Sequence, residues 1–390
     1  MWILIETAKL FLRAAYFFMK LGPSGNKAVF ISRQGDEPST DFAALADALE
    51  AEGLETEMCL HRQEKDNARF MAEAGANLSA ILRQMKAIAG ARVAVTDGYS
   101  IPVSILKHRK SLTVIQIWHA IGAVKKFGLQ TVPSMGEDEK KRASMLKMHG
   151  GYDYFVAPSR AAARFFAEAF GMGADKALIT GTPYLDALSE GRFNRADRSG
   201  DMAALYPEIA GNDAAERPAK VVLYVPTYRK AARAEEGEDA GTRGGDALRD
   251  ALGADGFIVI ERKHPIDEAG ETPSLGFSAE ELMYHADVVV TDYSSLAITV
   301  ALLGKPLYFY LYDIDEYRNS PGLNIDPEKE YGKYAARGAD ELARLIREGE
   351  YDHAYERGFA GKYVETFDGN CTERLTAEIL RSMDILRGVI

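Results

Sequence analysis

The sequence predicts an α/β fold in which two Rossmann-like domains face a cleft between them, with an amphipathic helix at the amino terminus. The chain has 390 residues, which is more than one ordinary domain holds. Short apolar runs alternate with helical patterns in both halves, which is typical of βαβ units and parallel sheets. A stretch without a long apolar period, residues 191–219, separates the halves and is predicted to be a linker.

Residues 1–21 are predicted to form the amphipathic helix. On a helical projection, one arc of about 60° carries the charged residues, which are Glu6, Lys9, Arg13 and Lys20. A charged stripe along the whole length excludes a membrane-spanning helix, and no small-residue cleavage site follows it. The wide apolar and aromatic remainder predicts a helix that lies in a membrane surface. Packing of the same helix on the protein's own core is the alternative.

The first domain is predicted to span residues 27–190. Its expected strands are short β-branched runs at 27–32, 56–60, 92–98, 113–118, 154–159 and 177–182. Amphipathic patterns between them predict helices at 41–53, 66–89 and 134–150. Gly53 is placed as a helix stop, and the spacing of Ser134 and Glu137 matches a capping box.

The second domain is predicted to span residues 220–370 and to be followed by a C-terminal helix at 371–390. Its expected strands are at 220–227, 256–264, 286–292 and 305–313. The acidic, glycine-rich stretch 230–247 predicts a mobile surface loop. Inspection of the sequence finds no internal repeat.

Composition and charge argue against several functions. The chain has 47 Lys and Arg against 58 Asp and Glu, a net charge of −11, which argues against nucleic acid as a partner. Cys59 and Cys371 lie far apart without a CxxC or Cys/His cluster, so no disulfide or zinc site is predicted and a reducing, cytoplasmic setting fits. Neither a Walker motif nor a GxGxxG occurs, and no cofactor or metal is assigned.

Polar clusters follow four predicted strands at the point where each strand ends. They are His119 after 113–118, Thr227 and Arg229 after 221–226, Lys263 and His264 after 257–262, and Asp292, Ser294 and Ser295 after 287–291. Because ligands bind at the carboxyl ends of strands in open parallel sheets, these clusters predict one site in the cleft.

Two features of these clusters indicate phosphate chemistry. In 291–306 a strand ends at Thr291 and two serines open an apolar helix, whose N-terminus favours an anion. Ser294 acting only as a helix cap is the alternative. An imidazole such as His119 or His264 can accept a proton from a hydroxyl or, when charged, stabilise a phosphate. A purely structural histidine is the alternative at each position.

Several motifs, in one order, resemble those of a known family. They are WHAIGAVKKFG (118–128), MHGGYDYFVAPS (148–159), GTPYLD (181–186), LYVPTYR (223–229), KHP (263–265), TDYSS (291–295) and KPLYFYLYDIDEY (305–317). In these motifs the chain is similar to the CDP-glycerol glycerophosphotransferase family, the primases and polymerases of teichoic acids and related polyol-phosphate polymers.

The resemblance implies a GT-B-like fold with a membrane-associating N-terminal element, an acceptor domain at 27–190 and a CDP-donor domain at 220–370. It implies transfer of glycerol phosphate from CDP-glycerol to an acceptor hydroxyl, with release of CMP. The implied acceptor is a lipid-linked glycan or a polyol-phosphate chain. The implied location is the cytoplasmic face of the cell membrane, where the enzyme is bound peripherally.

The resemblance also implies roles for individual residues. His119 corresponds to the family's catalytic base, and His264 to a histidine that contacts the transferred phosphate. The implied donor-binding residues are Trp118, Lys125, Thr227, Arg229, Lys263, Thr291, Asp292, Ser294 and Ser295. Lysine and arginine side chains among them would balance the phosphate charge. Gly122 is interpreted as letting the backbone turn tightly beside a ligand.

Departures from the family pattern leave the donor open. Ala120 stands where glycine is common, Tyr184 where many relatives carry arginine, and Thr299 where an acidic residue is common. CDP-ribitol or another CDP-alcohol is therefore an alternative donor. The sequence is also compatible with a GT-B glycosyltransferase that uses a nucleotide sugar, or with a catalytically inactive membrane-bound scaffold. The length of one catalytic unit favours a primase or short-chain transferase over a large polymerase.

Overall fold

The computed structural model shows two compact α/β units. It describes residues 2–62, 74–195, 200–201, 204, 219–227, 240–253, 256–262 and 277–387. The first unit consists of Met1–Ile121, Phe127–Ser189 and Val364–Ile390, and the second of Gly122–Lys126 and Glu190–Tyr363. Each unit contains one parallel sheet, which confirms the predicted class of fold.

The sheet of the first unit has the strand order β2-β1-β3-β4-β5-β6 and is parallel throughout. Its strands are β1 (Lys27–Ser32), β2 (Glu55–Leu60), β3 (Val93–Thr96), β4 (Thr113–Gln116), β5 (Tyr154–Val156) and β6 (Ala177–Leu178). In the pairing register, Phe30 of β1 lies opposite Met58 on one side and Val95 on the other. All six predicted strands are present, although β3, β4, β5 and β6 end earlier than predicted.

Helices cover both faces of this sheet. They are α1 (Trp2–Met19), α2 (Thr40–Ala51), α3 (Ala74–Gly90), α4 (Ile101–Ile105), α5 (Glu137–Met145), α6 (Arg160–Phe170) and α7 (Pro183–Ser189). Side chains alternate along β1, so that Ala28 and Phe30 join one core cluster while Val29 and Ile31 join the other. A strand buried on both faces must be apolar throughout, which is why it reads as a continuous run rather than an alternating one.

The predicted start of α5 is wrong. Ser134 ends a 3₁₀ helix, Gly128–Ser134, and α5 begins at Glu137 instead of residue 134. The Gly136 amide donates to Glu139 Oε2 at 3.3 Å, so the glycine backbone replaces the predicted Ser134 cap. Three acidic residues fill the first turn, where the helix dipole favours negative charge.

The sheet of the second unit has the order β11-β10-β9-β7-β8 and is also parallel. Its strands are β7 (Lys220–Val225), β8 (Phe257–Glu261), β9 (Val288–Thr291), β10 (Leu307–Tyr310) and β11 (Ala335–Ala336). Its helices are α8 (Ala240–Leu252), α9 (Ala279–His285), α10 (Leu296–Leu302), α11 (Ile314–Asn319), α12 (Pro327–Tyr331), α13 (Ala339–Glu348) and α14 (Ala354–Tyr363).

Helix α8 corrects the predicted surface loop at 230–247. Residues 240–247 are helical, while 230–239 lie outside the described residues. Leu248 and Leu252 of α8 are completely buried. Burying two leucines is worth several kcal/mol, more than the helix propensity lost at the glycines of this segment.

The last helix, α15 (Cys371–Arg387), packs on the first unit. Asp186 accepts hydrogen bonds from the amides of Cys371 at 2.8 Å and Thr372 at 2.7 Å, which caps the start of the helix. Leu375 and Ile379 join the core cluster that contains Phe30. The chain therefore returns to its first unit after completing the second.

A short repeat relates the two sheets, contrary to the sequence analysis. Residues 93–97 read VAVTD and residues 288–292 read VVVTD, and these segments form β3 and β9 with the aspartate that follows each. In both sheets this strand lies beside the first strand of its unit, at the position where the strand order reverses. Ligand crevices of open α/β sheets form at such positions.

Candidate functional site

In the first unit, a buried serine–aspartate pair joins the ends of β1 and β3. Ser32 Oγ donates to Asp97 Oδ2 at 2.7 Å, and the two residues are 5% and 3% exposed. The second carboxylate oxygen, Oδ1, accepts no hydrogen bond from any other residue in the described part of the chain. Both residues line a cavity of about 390 Å³ at this edge of the sheet.

His119 lies on the surface just beyond β4. Its Nδ1 atom is 3.0 Å from the backbone oxygen of Asp97 and 3.2 Å from Gln34 Nε2. A carbonyl oxygen can only accept a hydrogen bond, so the shorter of these contacts places the proton of the neutral ring on Nδ1, and the Gln34 Nε2 group, itself a donor, makes no hydrogen bond to that nitrogen. The basic lone pair is then on Nε2. This tautomer is the one that a general base anchored through Nδ1 requires.

Trp118 holds a strained position beside His119. Its φ is +59°, in the left-handed region that costs a non-glycine residue about 1–2 kcal/mol. The Trp118 amide donates to Gln116 Oε1 at 2.8 Å, and the indole stacks on Phe127 with ring centroids 4.6 Å apart. The His119 ring lies 4.1 Å from the indole. The structure therefore uses Trp118 to orient His119, and this turn ends β4 before the predicted residue 118.

His149 is a second imidazole near Trp118, with ring centroids 5.8 Å apart. It is 4% exposed, and burial lowers its pKa to about 3, helped by the charges of Arg33 and His119. Its Nδ1 atom contacts the Tyr152 hydroxyl at 3.1 Å. His149 is therefore neutral near pH 7 and part of the aromatic core, whereas His119 is exposed and can exchange protons with a ligand.

Asp97 titrates abnormally, which predicts a pH-dependent stability. Burial raises its pKa to about 6, and the nearby Asp41 carboxylate also raises it, although the Ser32 hydrogen bond lowers it. An unfolded aspartate has a pKa near about 3.9. Between about pH 4 and pH 6 the folded state holds the extra proton, so this group's contribution to stability falls as pH rises.

We therefore expect Asp97→Asn to raise the free energy of unfolding by about 1–3 kcal/mol at about pH 7 and to have little effect at about pH 4. Urea unfolding at the two pH values measures both quantities. Asp201→Asn, at an exposed position, is the control and should change neither value by more than about 0.5 kcal/mol. An equal increase in the free energy of unfolding of Asp97→Asn at both pH values would contradict the raised pKa of Asp97.

In the second unit, Thr227 and Asp292 join the ends of β7 and β9. The Thr227 amide lies 2.9 and 3.0 Å from the two carboxylate oxygens of Asp292, and its hydroxyl donates to Oδ1 at 2.6 Å. Thr291 donates its hydroxyl to the Val225 backbone oxygen at 2.7 Å. Thr227 is 5% exposed, while Thr291 and Asp292 are completely buried. Asp292 and Thr291 therefore hold the strand ends in place.

Ser294 and Ser295 precede α10 and are half-buried. Ser294 Oγ accepts the Leu296 amide at 3.3 Å, as expected of a serine that caps a turn. Ser295 is the residue before the helix and makes no capping hydrogen bond through its side chain. These are the partly accessible hydroxyls of the TDYSS motif, and the short α10 follows them directly.

Lys125 belongs to the second unit, although it follows His119 closely in sequence. Its segment pairs with 322–325, since the Lys126 amide donates to the Gly322 oxygen at 2.9 Å. A Cβ atom at Gly122 would lie 2.3 Å from Ile298 Cδ1 of α10. Gly122 therefore packs closely against α10, and a larger residue there would have to displace the end of the Ile298 side chain.

Three predicted site residues, Arg229, Lys263 and His264, lie outside the described residues. Within the described ranges, no group of three or more His, Cys, Asp or Glu is placed to hold a metal ion. The sequence analysis missed Ser32, Gln34 and Asp97. The ends of β1 and β3 carry the same signal as the end of β4, namely polar residues at the end of an apolar strand. In addition, the match between VAVTD (93–97) and VVVTD (288–292) places Asp97 at the position that Asp292 has in the second repeat.

The comparisons with known proteins agree with one another. A family model described as CDP-Glycerol:Poly(glycerophosphate) glycerophosphotransferase matches residues 14–381. The chain is 26% identical to the teichoic acid ribitol-phosphate primase of Bacillus spizizenii over 90% of this chain and 90% of that protein. It is also 26% identical to the teichoic acid glycerol-phosphate primase of Bacillus subtilis, over 79% of this chain and 81% of that protein.

The fold has a solved counterpart. A structure of the wall teichoic acid polymerase TagF, soaked with CDPG, superposes with a TM-score of 0.66 at 18% identity, covering 96% of this chain and 94% of that chain. At this identity the likeness shows the fold, and it confirms the GT-B-like class. Because the family model matches nearly the whole chain, the protein belongs to the CDP-glycerol:poly(glycerophosphate) glycerophosphotransferase family.

Proposed function

We propose that this protein transfers glycerol phosphate from CDP-glycerol to a hydroxyl of a membrane-linked acceptor and releases CMP, in the synthesis of teichoic acid or a related polymer. Membership of the family supports the reaction type. The observation that carries the proposal is the anchoring of His119, whose Nδ1 meets the Asp97 backbone oxygen at 3.0 Å. This contact makes Nε2 the proton acceptor that an attacking hydroxyl needs.

In the proposed step, the acceptor oxygen attacks the phosphorus that bears the glycerol. The bond from that phosphorus to the bridging oxygen breaks, and CMP leaves with the electron pair. The hydroxyl proton passes to His119 Nε2. In phosphoryl transfer, catalysis rests on positioning and on compensation of the phosphate charge, for which we propose Lys125, Arg229 and Lys263, with His264 on the transferred phosphate.

The donor is proposed to bind the second unit through Thr227 and the half-buried Ser294 and Ser295, held by the buried Thr291 and Asp292. Trp118 contributes by orienting His119. CDP-ribitol is the second candidate donor, because a ribitol-phosphate primase matches 90% of the chain. Thr299, the departure that raised this alternative, is 1% exposed within α10.

Thermal unfolding with CDP-glycerol, CDP-ribitol and a UDP-sugar tests the donor. A ligand at about 100 times its Kd adds about 2.7 kcal/mol to the free energy of unfolding. We expect stabilisation by the cytidine ligands, and Ser294→Ala with Ser295→Ala should reduce it. Ser134→Ala is the matched control on an exposed serine of the first unit. Stabilisation by the UDP-sugar alone would support a glycosyltransferase, and no stabilisation by any nucleotide would support an inactive scaffold.

Helix α1 packs on the first unit through the side that carries Lys9, Leu12 and Tyr16, while the charged residues Glu6 and Arg13 stay exposed. Lys9 is 7% exposed and pairs with Glu6 at 2.7 Å. Tyr16 bonds to His108 Nδ1 at 2.8 Å, and Lys20 Nζ donates to the Lys107 backbone oxygen at 2.5 Å. These contacts hold the helix on the first unit and direct its apolar side outward.

The outward side of α1 is strongly apolar. Its exposed residues, with Leu21 just beyond the helix, are Ile3, Leu4, Leu10, Phe11, Phe17, Phe18 and Leu21, with exposed fractions from 58% to 83%. Apolar patches of this kind mark contact surfaces. Lys107 and Lys110 are exposed in the loop that holds the end of α1, and basic groups beside an apolar helix attract anionic lipid. We therefore propose peripheral binding at the cytoplasmic membrane surface. None of the described helices is long and apolar enough to cross a membrane.

Substitution on α1 tests the membrane proposal better than deletion, because Leu12 and Tyr16 belong to the core. We expect Phe17→Glu combined with Phe18→Glu to lower partition into phosphatidylglycerol-containing vesicles more than about tenfold, since each buried aromatic is worth about 1.5–3 kcal/mol. Vesicle sedimentation measures the partition. Leu78→Glu, at a 49% exposed position outside α1, is the control. Unchanged partition of the double variant would refute the anchor.

A further inference from the structure

Gln116 is the last residue of β4 and lies three positions before His119. It is completely buried. Its side-chain amide makes two hydrogen bonds to main-chain groups: Nε2 donates to the Gly98 oxygen at 3.0 Å, and Oε1 accepts the Trp118 amide at 2.8 Å. The proposed reaction gives this glutamine no role, yet each of its partners is the chain neighbour of a residue that holds or carries the proposed base.

The two partners determine the orientation of the Gln116 amide. The Trp118 N–H can only donate and the Gly98 oxygen can only accept, so a flipped amide would place donor against donor and acceptor against acceptor. Because both ends are satisfied away from water, the amide is a fixed link rather than an adjustable contact. A methionine side chain has nearly the same length but carries neither an N–H donor nor a carbonyl acceptor.

The link is made where the ladder between β3 and β4 ends. At this end of the ladder the Ile117 amide donates to the Thr96 oxygen at 2.8 Å. Successive bonds of a parallel ladder are two residues apart, so the next acceptor along the chain of β3 is the oxygen of Gly98. That oxygen accepts the Gln116 side chain and also Thr96 Oγ1 at 2.8 Å. Gln116 therefore extends the connection between the two strands past their ends, where the chain turns at Trp118.

Both main-chain groups that Gln116 holds belong to the surroundings of His119. Gly98 follows Asp97, whose backbone oxygen lies 3.0 Å from His119 Nδ1. Trp118 precedes His119 and has a φ of +59°, a conformation that persists in a non-glycine residue only where the surrounding structure holds it. One side chain thus links the segment that supplies the acceptor to the segment that carries the imidazole.

We propose that Gln116 is a positioning residue for the proposed base. By tying Gly98 to Trp118, it keeps the Asp97 oxygen within reach of His119 Nδ1, and that contact sets the tautomer whose Nε2 accepts the proton. This inference rests on the proposed function and adds to it the residue that maintains the base in its reactive form.

Nitrogen NMR of the full chain with isotope-labelled histidine tests the proposal without turnover. Long-range proton–nitrogen spectra distinguish the two neutral tautomers, and His119→Ala identifies the His119 signals. At about pH 8, above the ordinary pKa of histidine, we expect the Nδ1–H form to dominate in the unsubstituted protein. Gln116→Met should reduce its fraction at least about twofold, because the hydrogen bond at Nδ1 selects the tautomer.

Thr96→Val is the matched control. Thr96 is 1% exposed and donates to the same Gly98 oxygen at 2.8 Å, and valine has nearly the same shape. The control removes one bond to Gly98 but leaves the Gln116 link in place, so the tautomer should not change. Gln116→Asn is a milder second variant whose amide is withdrawn by more than about 1 Å. It cannot hold both partners and should shift the tautomer in the same direction as Gln116→Met.

The transfer reaction supplies a second measurement. We expect Gln116→Met to lower kcat for CMP release by about tenfold to 100-fold with little change in the KM for CDP-glycerol, since a misplaced base slows the chemical step rather than donor binding. Thr96→Val should leave both constants unchanged. An unchanged tautomer in both Gln116 variants, or an equal shift in Thr96→Val, would overturn the proposal. If the unsubstituted protein released no CMP from CDP-glycerol or CDP-ribitol, the proposed function would fail instead, while the tautomer measurement would still decide the role of Gln116.

Discussion

Replacing His119 with alanine is expected to lower the rate of glycerol-phosphate transfer by about 10²–10⁴-fold, the usual contribution of a general base. His119 is exposed, so the variant should keep its fold, with a change in the free energy of unfolding within about 0.5 kcal/mol. CMP release from CDP-glycerol in the presence of acceptor measures the rate. The Kd for CDP-glycerol should stay the same, because the donor residues are proposed to lie in the second unit.

Gln34→Ala is the matched control for this prediction. Gln34 Nε2 contacts the same ring nitrogen at 3.2 Å, but the Asp97 backbone oxygen remains to hold the imidazole in the control. We therefore expect the control to lose less than about tenfold in rate, because the Gln34 Nε2 group is a donor and makes no hydrogen bond to a protonated Nδ1. A His119→Ala protein that retained transfer within tenfold of the unsubstituted rate would rule out His119 as the base.

Replacing Asp292 with alanine is expected to cost about 3–5 kcal/mol of the second unit's stability. The carboxylate is completely buried and accepts the Thr227 amide, the Thr227 hydroxyl at 2.6 Å and the Tyr293 amide at 2.5 Å. Alanine would leave these donors buried without partners, at about 1–3 kcal/mol each. Hydrogen exchange of the β7 and β9 amides, followed in urea, measures the loss in this unit.

Asp250→Ala is the control for Asp292→Ala. Asp250 is exposed on α8 of the same unit, so its removal should change stability by less than about 0.5 kcal/mol. If Asp292→Ala were as stable as this control, Asp292 would have no role in joining the strand ends. Its proposed support of the donor site would then fail as well.

Much of the fold was predictable because the signals for its elements are local. Strand β1 matches the prediction at both ends, since a β-branched run between turn residues is a property of adjacent residues. Gly53 follows α2 with a φ of +83°, the conformation for which a glycine stop is used. The exceptions have physical causes: α5 begins later because its acidic first turn selects the start, and α8 forms because Leu248 and Leu252 are buried.

The candidate site was only partly predictable. His119, Thr227, Ser294 and Ser295 were found because polar residues after strands are visible in the sequence. Asp97 was missed, since its importance lies in its contacts with Ser32 and His119, which are distant in the sequence. The packing of Gly122 close to Ile298 was likewise not visible in the sequence, because it joins residues 176 positions apart.

By itself the sequence determined the α/β class, the strands of both sheets except β11, the amphipathic helix and the family's motifs, because each depends on residue types within a few positions. Tertiary structure decided which distant residues meet. Ser32 and Asp97 are 65 positions apart, as are Thr227 and Asp292, and Asp186 caps a helix that begins 185 residues later. It also decided that α1 buries Lys9 together with Leu12 and Tyr16 and leaves its aromatic side exposed. Such pairings depend on strand order and on burial, which a local pattern of residues does not encode.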